Sequence, residues 1–337
     1  MEIDKNDFLL MTGATGLVGS QVAQHARQQG VRTRALIRAS SKRGFLDQCG
    51  VEIVTGDMTD SESLKHAVDG ITLIVHCAAK VGDWGPVDEY RTVNVRGLEN
   101  LLKQTEATGR LKRFVHISSL GVYEARDHYG TDESETTSTQ GIDGYTLTKV
   151  ESENLVLDHI KDNKLPATIL RPGFVYGPRD RTVLPRILNR LKSKKFKFLG
   201  SGQQLLNNTY VGNLADAVFA AIERDKCVGQ VFNITDGKLV TKREFITTIA
   251  SLAGYNVPAK SVPLPVARIL AGLMEGTWKL LGKKHAPLLS SATIKFLGLN
   301  LDYCIDKARR ELGYQPRVDF ADGMKKTIDW CREQGFV

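Results

Sequence analysis

The chain has 337 residues, 42% of them hydrophobic and 25% charged. That balance excludes a disordered, collagenous or disulfide-scaffold protein, and the length suits two domains or one large α/β domain with an appendage. Lys and Arg number 46 against 38 Asp and Glu, a net charge of +8, which admits nucleotides, acidic substrates, nucleic acid or an anionic membrane surface as partners without choosing among them.

No run approaches the roughly 18 uncharged apolar residues of a transmembrane helix. The acidic start, Met1 to Asp7, has the wrong charge order for a secretory signal. Cys49, Cys77, Cys227, Cys304 and Cys331 form no C-x-x-C pair. They read as reduced thiols of a cytoplasmic protein, with no zinc site.

The first predicted strand is Phe8–Thr12, and a helix over 20–29 stops at Gly30. Between them lies Thr12-Gly13-Ala14-Thr15-Gly16-Leu17-Val18-Gly19. Gly13 permits the tight turn, Gly16 lets backbone approach a pyrophosphate, and Gly19 lets the helix pack close to the strand. The following helix N-terminus faces the phosphates with unpaired N–H groups. This placement points to a dinucleotide site formed by Gly13, Thr15, Gly16, Leu17, Val18 and Gly19.

Thr33–Ile37 is the second predicted strand. An acid at its end would bind the ribose hydroxyl of NAD. Here Ile37 is followed by Arg38, then Lys42 and Arg43, with no carboxylate until Asp47. An arginine suits a 2′-phosphate, so NADP(H) is expected ahead of NAD(H). If Arg38 only stacks on the adenine, it does not discriminate. Val51–Val54 is the third strand, and Asp57 and Met58 after it are placed to meet the adenine. Leu73–Cys77, Phe114–Ile117 and Ala167–Leu170 complete six strands with helices between them. That alternation predicts a doubly wound α/β fold with a parallel sheet covered on both faces and ligands outside the carboxyl ends of its strands.

Tyr145 and Lys149 form a Y-x-x-x-K pair, one face of a helix. The ammonium is expected to lower the phenol pKa, and such a tyrosine exchanges a proton with a carbinol or carbonyl. Ser118 and Ser119 end the fifth strand, where a hydroxyl can hold the substrate oxygen. The buried-strand histidines His76 and His116 read as core residues, and no metal spacing is present.

After Arg171-Pro172-Gly173 the character changes. Residues 179–197 carry Arg179, Arg181, Arg186, Arg190, Lys192, Lys194, Lys195 and Lys197 against Asp180. They form either a solvated helix face or a guide for an anionic substrate; nucleic-acid binding is not expected. Thr209–Val211 and Val231–Ile234 are candidates to return to the sheet, and the chain from about 238 is mostly helical. Within it, Val266, Ile269, Leu270, Leu273, Leu280 and Leu281 share one helical face, with Arg268, Gly272, Glu275 and Lys279 on the other. The first expectation is a helix packed on the core; the rivals are a lid over an apolar substrate and a helix on a membrane surface.

With T-G-A-T-G-L-V-G at 12–19, H-C-A-A-K at 76–80, N-V-R-G at 94–97, H-I-S-S-L-G-V-Y at 116–123, Y-T-L-T-K at 145–149 and R-P-G-F-V-Y-G-P at 171–178, nearly the whole chain resembles the extended short-chain dehydrogenase/reductase family. The resemblance implies a Rossmann domain over 1–176 plus 209–236 and a smaller, mostly helical substrate lobe over 177–208 plus 237–337. It implies Tyr145 as acid/base, Lys149 as its partner and holder of the nicotinamide ribose, Ser119 as catalytic serine with Ser118 second, and Asn94 as the helix asparagine that orders the lysine and water. Ala78, Ala79, Lys80 and Ser118 would line the cofactor, and Pro172, Gly173 and Val175 would border the nicotinamide. A homodimer is the family's usual assembly.

Sugar-nucleotide members carry R-D before their x-x-Y-V strand, whereas this chain has Leu206 and Asn207. Lys80-Val81-Gly82-Asp83-Trp84-Gly85-Pro86 resembles the loop of the 3-beta-hydroxysteroid dehydrogenase and 2-alkyl-3-ketoacid reductase branch. The expectation is an oxidoreductase interconverting a secondary alcohol and a ketone on an apolar small molecule, steroid-like or a beta-keto/beta-hydroxy acid. A nucleotide-sugar epimerase or dehydratase, and a non-catalytic NADP(H) sensor, are the alternatives.

Overall fold

The computed structural model describes residues 1–140, 143–283 and 285–337. Its centre is one seven-stranded sheet: β1 (Phe8–Thr12), β2 (Arg32–Ile37), β3 (Glu52–Thr55), β4 (Leu73–His76), β5 (Arg113–Ile117), β6 (Ala167–Pro172) and β7 (Val231–Ile234). Every pairing is parallel, in the order β7-β6-β5-β4-β1-β2-β3. Helical connections force the parallel arrangement, and helices on both faces explain why β1, β4, β5 and β6 are buried throughout.

Alternate residues of β1 serve opposite cores. Leu9 and Met11 pack with the helices Leu17–Gln28 and Val211–Glu223, while Phe8 and Leu10 pack with Ser61–Val68 and Gly97–Thr108. The strand order reverses between β1 and β4, so a crevice opens at their carboxyl ends.

Val231–Ile234 joins the sheet as β7, but Thr209–Val211 does not. Asn208–Tyr210 instead pairs with Phe174–Tyr176 in a separate two-stranded sheet. A side chain at Gly173 would collide with the Asn207 carbonyl, and the chain leaves the main sheet at that close approach. Beyond it Tyr176, Leu188, Phe198, Phe245, Ile249 and Met324 build a second core from the helices Val183–Lys192, Lys242–Leu252 and Phe320–Glu333. The later segment with Ile305, Ala308, Leu312 and Tyr314 returns to the core beside the sheet.

The apolar face of the helix Leu264–Leu280 departs from its expected place. Val266, Ile269, Leu270, Leu273, Leu280 and Leu281 are exposed, and the helix packs through Ala267 and Ala271. Small residues on that side allow close approach to the helix Ser291–Gly298, where a side chain at Gly298 would run into Leu264. The wide apolar residues were left outside.

In the basic stretch, Leu184, Ile187, Leu188 and Leu191 form the buried side of Val183–Lys192, and Arg181, Arg186, Arg190, Lys192, Lys194, Lys195 and Lys197 are exposed. Asp180 caps the helix through the N–H groups of Thr182, Val183 and Leu184. Arg179 turns the other way: it donates to Ser20, Gln21 and Gln24 and lies 4.1 Å above the Phe45 ring. Among the described residues no helix is long and apolar enough to cross a membrane, and no group of His, Cys, Asp and Glu gathers into a metal site.

Candidate active site

The glycine turn lies at the carboxyl end of β1. Gly13 has φ +67°, and a Cβ there would sit 2.7 Å from the Ala78 nitrogen. A side chain at Gly19 would collide with the Gly13 carbonyl, so strand and helix touch only because both residues are glycine. Gly16 faces outward, with nothing but the Gly13 oxygen near its would-be Cβ. It caps the helix without a side chain, and among the described residues the N–H groups of Leu17, Val18 and Gly19 meet no acceptor. Thr15 stands partly exposed at the mouth of the turn. This is a cradle with free donors and room for an anion.

Arg38 projects from the end of β2, exposed, its carbonyl accepting from the Ser41 N–H at 2.9 Å and its guanidinium without a hydrogen bond or ion pair among the described residues. Asp57 accepts from the N–H and hydroxyl of Thr59 at 2.9 and 2.8 Å. Those bonds, with the Arg38 charge nearby, hold its carboxyl below the usual range. Met58, next to Asp57, is buried against Gly97, where an added Cβ would approach the Met58 Cβ to 2.8 Å.

After β4 the chain runs through Cys77, Ala78 and Ala79 to Lys80. The Thr12 hydroxyl accepts from the Ala78 N–H at 3.2 Å and bonds His76 at 2.8 Å, tying the ends of β1 and β4 together. Asn94 holds the Lys80 peptide at both ends: its Oδ1 accepts from the Lys80 N–H at 2.6 Å and its Nδ2 donates to the Lys80 carbonyl at 3.1 Å. Nδ2 also donates to the Thr148 hydroxyl at 2.9 Å. Asn94 thus links the crevice wall to the helix Gly144–Asn163 rather than touching Lys149 directly. The Lys80 ammonium pairs with Glu89.

That helix carries Tyr145 and Lys149 and begins at Asp143, whose carboxylate accepts from the Thr146 N–H at 2.7 Å. Ser119 stands at the end of β5, and its hydroxyl accepts from the Gly121 N–H at 3.0 Å. Burial pushes the Tyr145 phenol up to about 12, the neighbouring Ser119 draws it down, and Asp143 raises it. The expected lowering by Lys149 is absent in this state. Lys149 is buried, its ammonium is brought down to about 8 by that burial, and it donates to the Ile117 carbonyl at 2.6 Å. Its Nζ lies 6.0 Å from the Tyr145 ring centroid.

Ser118 is drawn away from the crevice. Its hydroxyl donates at 2.7 Å to Glu153, which is fully buried and paired with Arg171. Arg171 also donates to the Tyr123 hydroxyl at 2.7 Å, and Tyr123 donates to Asn233 at 2.9 Å. This chain braces β5, the helix Gly144–Asn163, β6 and β7. Pro172 ends β6, and the Gly173 N–H donates to the Ile234 carbonyl and the Thr209 hydroxyl at 3.0 and 3.1 Å. Val175 follows at the paired strand. His76 and His116 are buried and stacked at 5.4 Å. Burial first, then the Lys149 charge, lowers both, His76 to about 3, so both are neutral core residues.

Lys295 was missed. From the helix Ser291–Gly298 its ammonium donates to the carbonyls of Gly121 and Tyr123 at 2.9 and 3.2 Å, bracing the turn that presents Ser119. Burial lowers it to about 8, opposed by Asp143. No motif marks a lysine 174 residues from its partner.

Residues 9–235 match the NAD dependent epimerase/dehydratase family. The chain is 30% identical to the 4-hydroxy-2-methyl-3-oxo-4-farnesyl-3,4-dihydroquinoline-1-oxide ketoreductase of Stigmatella aurantiaca, over 96% of each chain. It is 28% identical to the 2-alkyl-3-oxoalkanoate reductase of Shewanella oneidensis, over 96% of this chain and 86% of that one. The crystal structure of gox2253 superimposes with a TM-score of 0.84 at 28% identity, covering 98% of this chain and 99% of the other. Fold, site and relatives define a nicotinamide-dependent oxidoreductase of the extended short-chain type. The chain belongs to the NAD dependent epimerase/dehydratase family.

Proposed function

We propose that this enzyme is an NADP(H)-preferring reductase of apolar ketones, of the 3-oxo acid or steroid-like class, working through Ser119, Tyr145 and Lys149. In this reading residues 1–176 with 209–236 hold the cofactor, and 177–208 with 237–337 hold the substrate.

The open cradle at Gly16, with the free N–H groups of Leu17, Val18 and Gly19 beside it, fits a dinucleotide diphosphate. The Arg38 guanidinium, without a protein partner among the described residues, supports a 2′-phosphate over a bare hydroxyl. A nicotinamide bound there supplies or accepts the hydride. Ala78, Ala79 and Lys80 would flank it on one side, and Pro172, Gly173 and Val175 on the other.

The observation that carries the reading is geometric: Ser119 at the end of β5 stands beside Tyr145, and the buried Lys149, on the same helix as Tyr145, is anchored to the Ile117 carbonyl at 2.6 Å. With its pKa near 12, Tyr145 holds its proton at neutral pH and can donate it to the oxygen of a carbonyl becoming a carbinol. Ser119 would hold that oxygen. The Lys149 ammonium would stabilise the phenolate left behind, a charge that exists only as the reaction proceeds. The ketone class rests on the reductase relatives and on Leu206 and Asn207, an apolar and a neutral side chain where a diphosphate would call for a cation.

The test is net NADPH oxidation, followed by absorbance, against 2-alkyl-3-keto acids and 3-ketosteroids with nucleotide 4-keto sugars as contrast. Consumption with the apolar ketones supports the proposal. No consumption, together with interconversion of a sugar nucleotide without net redox, refutes it in favour of an epimerase or dehydratase.

A further inference from the structure

Among the described residues, nothing covers the exposed side of the helix Leu264–Leu280. Ile269 and Leu273 are each 65% exposed and Leu280 is 88% exposed. Val266, Ile269, Leu270 and Leu273 recur at three- and four-residue spacing and Leu280 follows seven residues after Leu273, so they lie along one helical face. Of the twelve exposed large hydrophobic residues among those described, seven lie between Val266 and Leu288. A contiguous patch of this kind marks an interaction surface, unlike scattered single residues.

The charges beside the stripe have one sign. Arg268, Lys279 and Lys283 are exposed. The only acid from 264 to 290 is Glu275, and its carboxylate is turned inward, accepting from the N–H and hydroxyl of Ser291 at 2.7 and 3.0 Å. The helix therefore has three sides: small residues against the protein, an apolar stripe outward, and cations along its border.

We propose that this helix docks the enzyme on the surface of an anionic lipid bilayer, lying in the plane of the interface with the stripe in the acyl boundary and the cations at the headgroups. A short amphipathic helix with basic flanks binds membranes in this way. A second copy of the chain is the poorer occupant, because a two-fold contact through this stripe would bring Arg268, Lys279 and Lys283 of both copies together. The position also suits an apolar substrate. At the C-terminal end of the helix, the Lys283 carbonyl accepts from the Trp84 indole at 2.8 Å. Trp84 and the 66% exposed Val81 belong to the loop that leaves the crevice at Lys80. A ketone dissolved in the bilayer would thus reach the crevice beside its own solvent.

The experiment is co-sedimentation of the full chain with vesicles of phosphatidylcholine alone or of phosphatidylcholine and phosphatidylglycerol at 7:3. Its readout is independent of catalysis, so the failure of this proposal and of the proposed reaction are distinguishable. The protein should bind the mixed vesicles at least tenfold more tightly than the neutral ones, and 0.5 M salt should remove most of that difference. The triple variant Ile269→Ser, Leu273→Ser, Leu280→Ser should lose at least tenfold in binding while keeping its melting curve and its affinity for NADPH. Wild-type protein that stays in the supernatant with both vesicles overturns the proposal, as does a triple variant that binds like wild type. A concentration-dependent dimer by analytical ultracentrifugation, abolished in the triple variant and accompanied by no vesicle binding, overturns it in favour of a second copy.

Discussion

The Lys149 ammonium donates to the Ile117 carbonyl at 2.6 Å while standing 6.0 Å from the centroid of the Tyr145 ring. The cation is anchored to the end of β5, and the phenol keeps its proton. Burial decides both: it raises Tyr145 to about 12 and lowers Lys149 to about 8. In the proposed reaction, proton donation by Tyr145 would leave a phenolate that a charged Lys149 stabilises. A base with pKa near 8 is charged below that pH and neutral above it. In the reductive direction kcat/KM should therefore hold below about pH 8 and fall above it. Lys149→Arg, which stays charged, should move that descending limb upward by more than one pH unit. A pH profile of NADPH consumption checks both. A flat profile to pH 10 in the wild type would remove Lys149 from the mechanism.

Tyr145→Phe keeps the ring and removes the proton. Turnover should fall by about 10²–10⁴. NADPH affinity, read by fluorescence titration, should stay within about tenfold, because the hydroxyl acts mainly in the transition state. Unchanged turnover would mean that another group supplies the proton and would remove Tyr145 from the mechanism.

Arg38 is the exposed cation at the end of β2, and its charge helps to hold the Asp57 carboxyl low. Arg38→Asp should shift the NADPH-to-NADH preference by about 1–3 kcal/mol toward NADH, the scale of a charge-assisted hydrogen bond. The ratio of kcat/KM values for the two cofactors measures it. An unchanged ratio would mean that Arg38 does not read the 2′-phosphate.

Much of the fold was legible because the parallel sheet prints itself as short, mostly apolar runs. Phe8–Thr12, Leu73–His76 and Arg113–Ile117 are buried along their whole length, so no alternation obscures them. The glycine turn was legible for steric reasons: the Gly13 and Gly19 contacts leave no room for a Cβ. What escaped depends on long-range packing. An apolar helical stripe looks the same whether it faces the core or solvent, and only Ala267 and Ala271 reveal which side of Leu264–Leu280 is buried. Ser118 and Ser119 are neighbours with the same side chain. The strand's two-residue alternation sends the first to Glu153 and leaves the second beside Tyr145. The packing of Met58 against Gly97 is likewise invisible in the local sequence. Lys295 has no local pattern at all.

The buried pair Glu153–Arg171 gives the sharpest stability prediction. Glu153 is fully buried, and its carboxylate has two kinds of donor: the Ser118 hydroxyl and the Arg171 guanidinium, which reaches it through Nε at 3.1 Å and again through Nη2. Arg171→Met fills similar space but leaves the carboxylate with Ser118 alone. An uncompensated buried charge costs about 3–5 kcal/mol. At about 2–4 °C per kcal/mol for a large domain, the melting temperature should drop by roughly 10 °C. The double variant Glu153→Leu, Arg171→Met removes the stranded charge and should recover part of that loss, because a well-packed apolar pair can replace an ion pair at little cost. Thermal denaturation of the wild type, both single variants and the double variant closes the cycle. Activity should follow a different order from stability. The pair fixes Ser118, the residue before Ser119, and Glu153 lies one helical turn beyond Lys149. Even the stabilised double variant should therefore show a lower kcat with little change in NADPH affinity. A double variant less stable than Arg171→Met alone would show that the pair contributes more than the charge it neutralises.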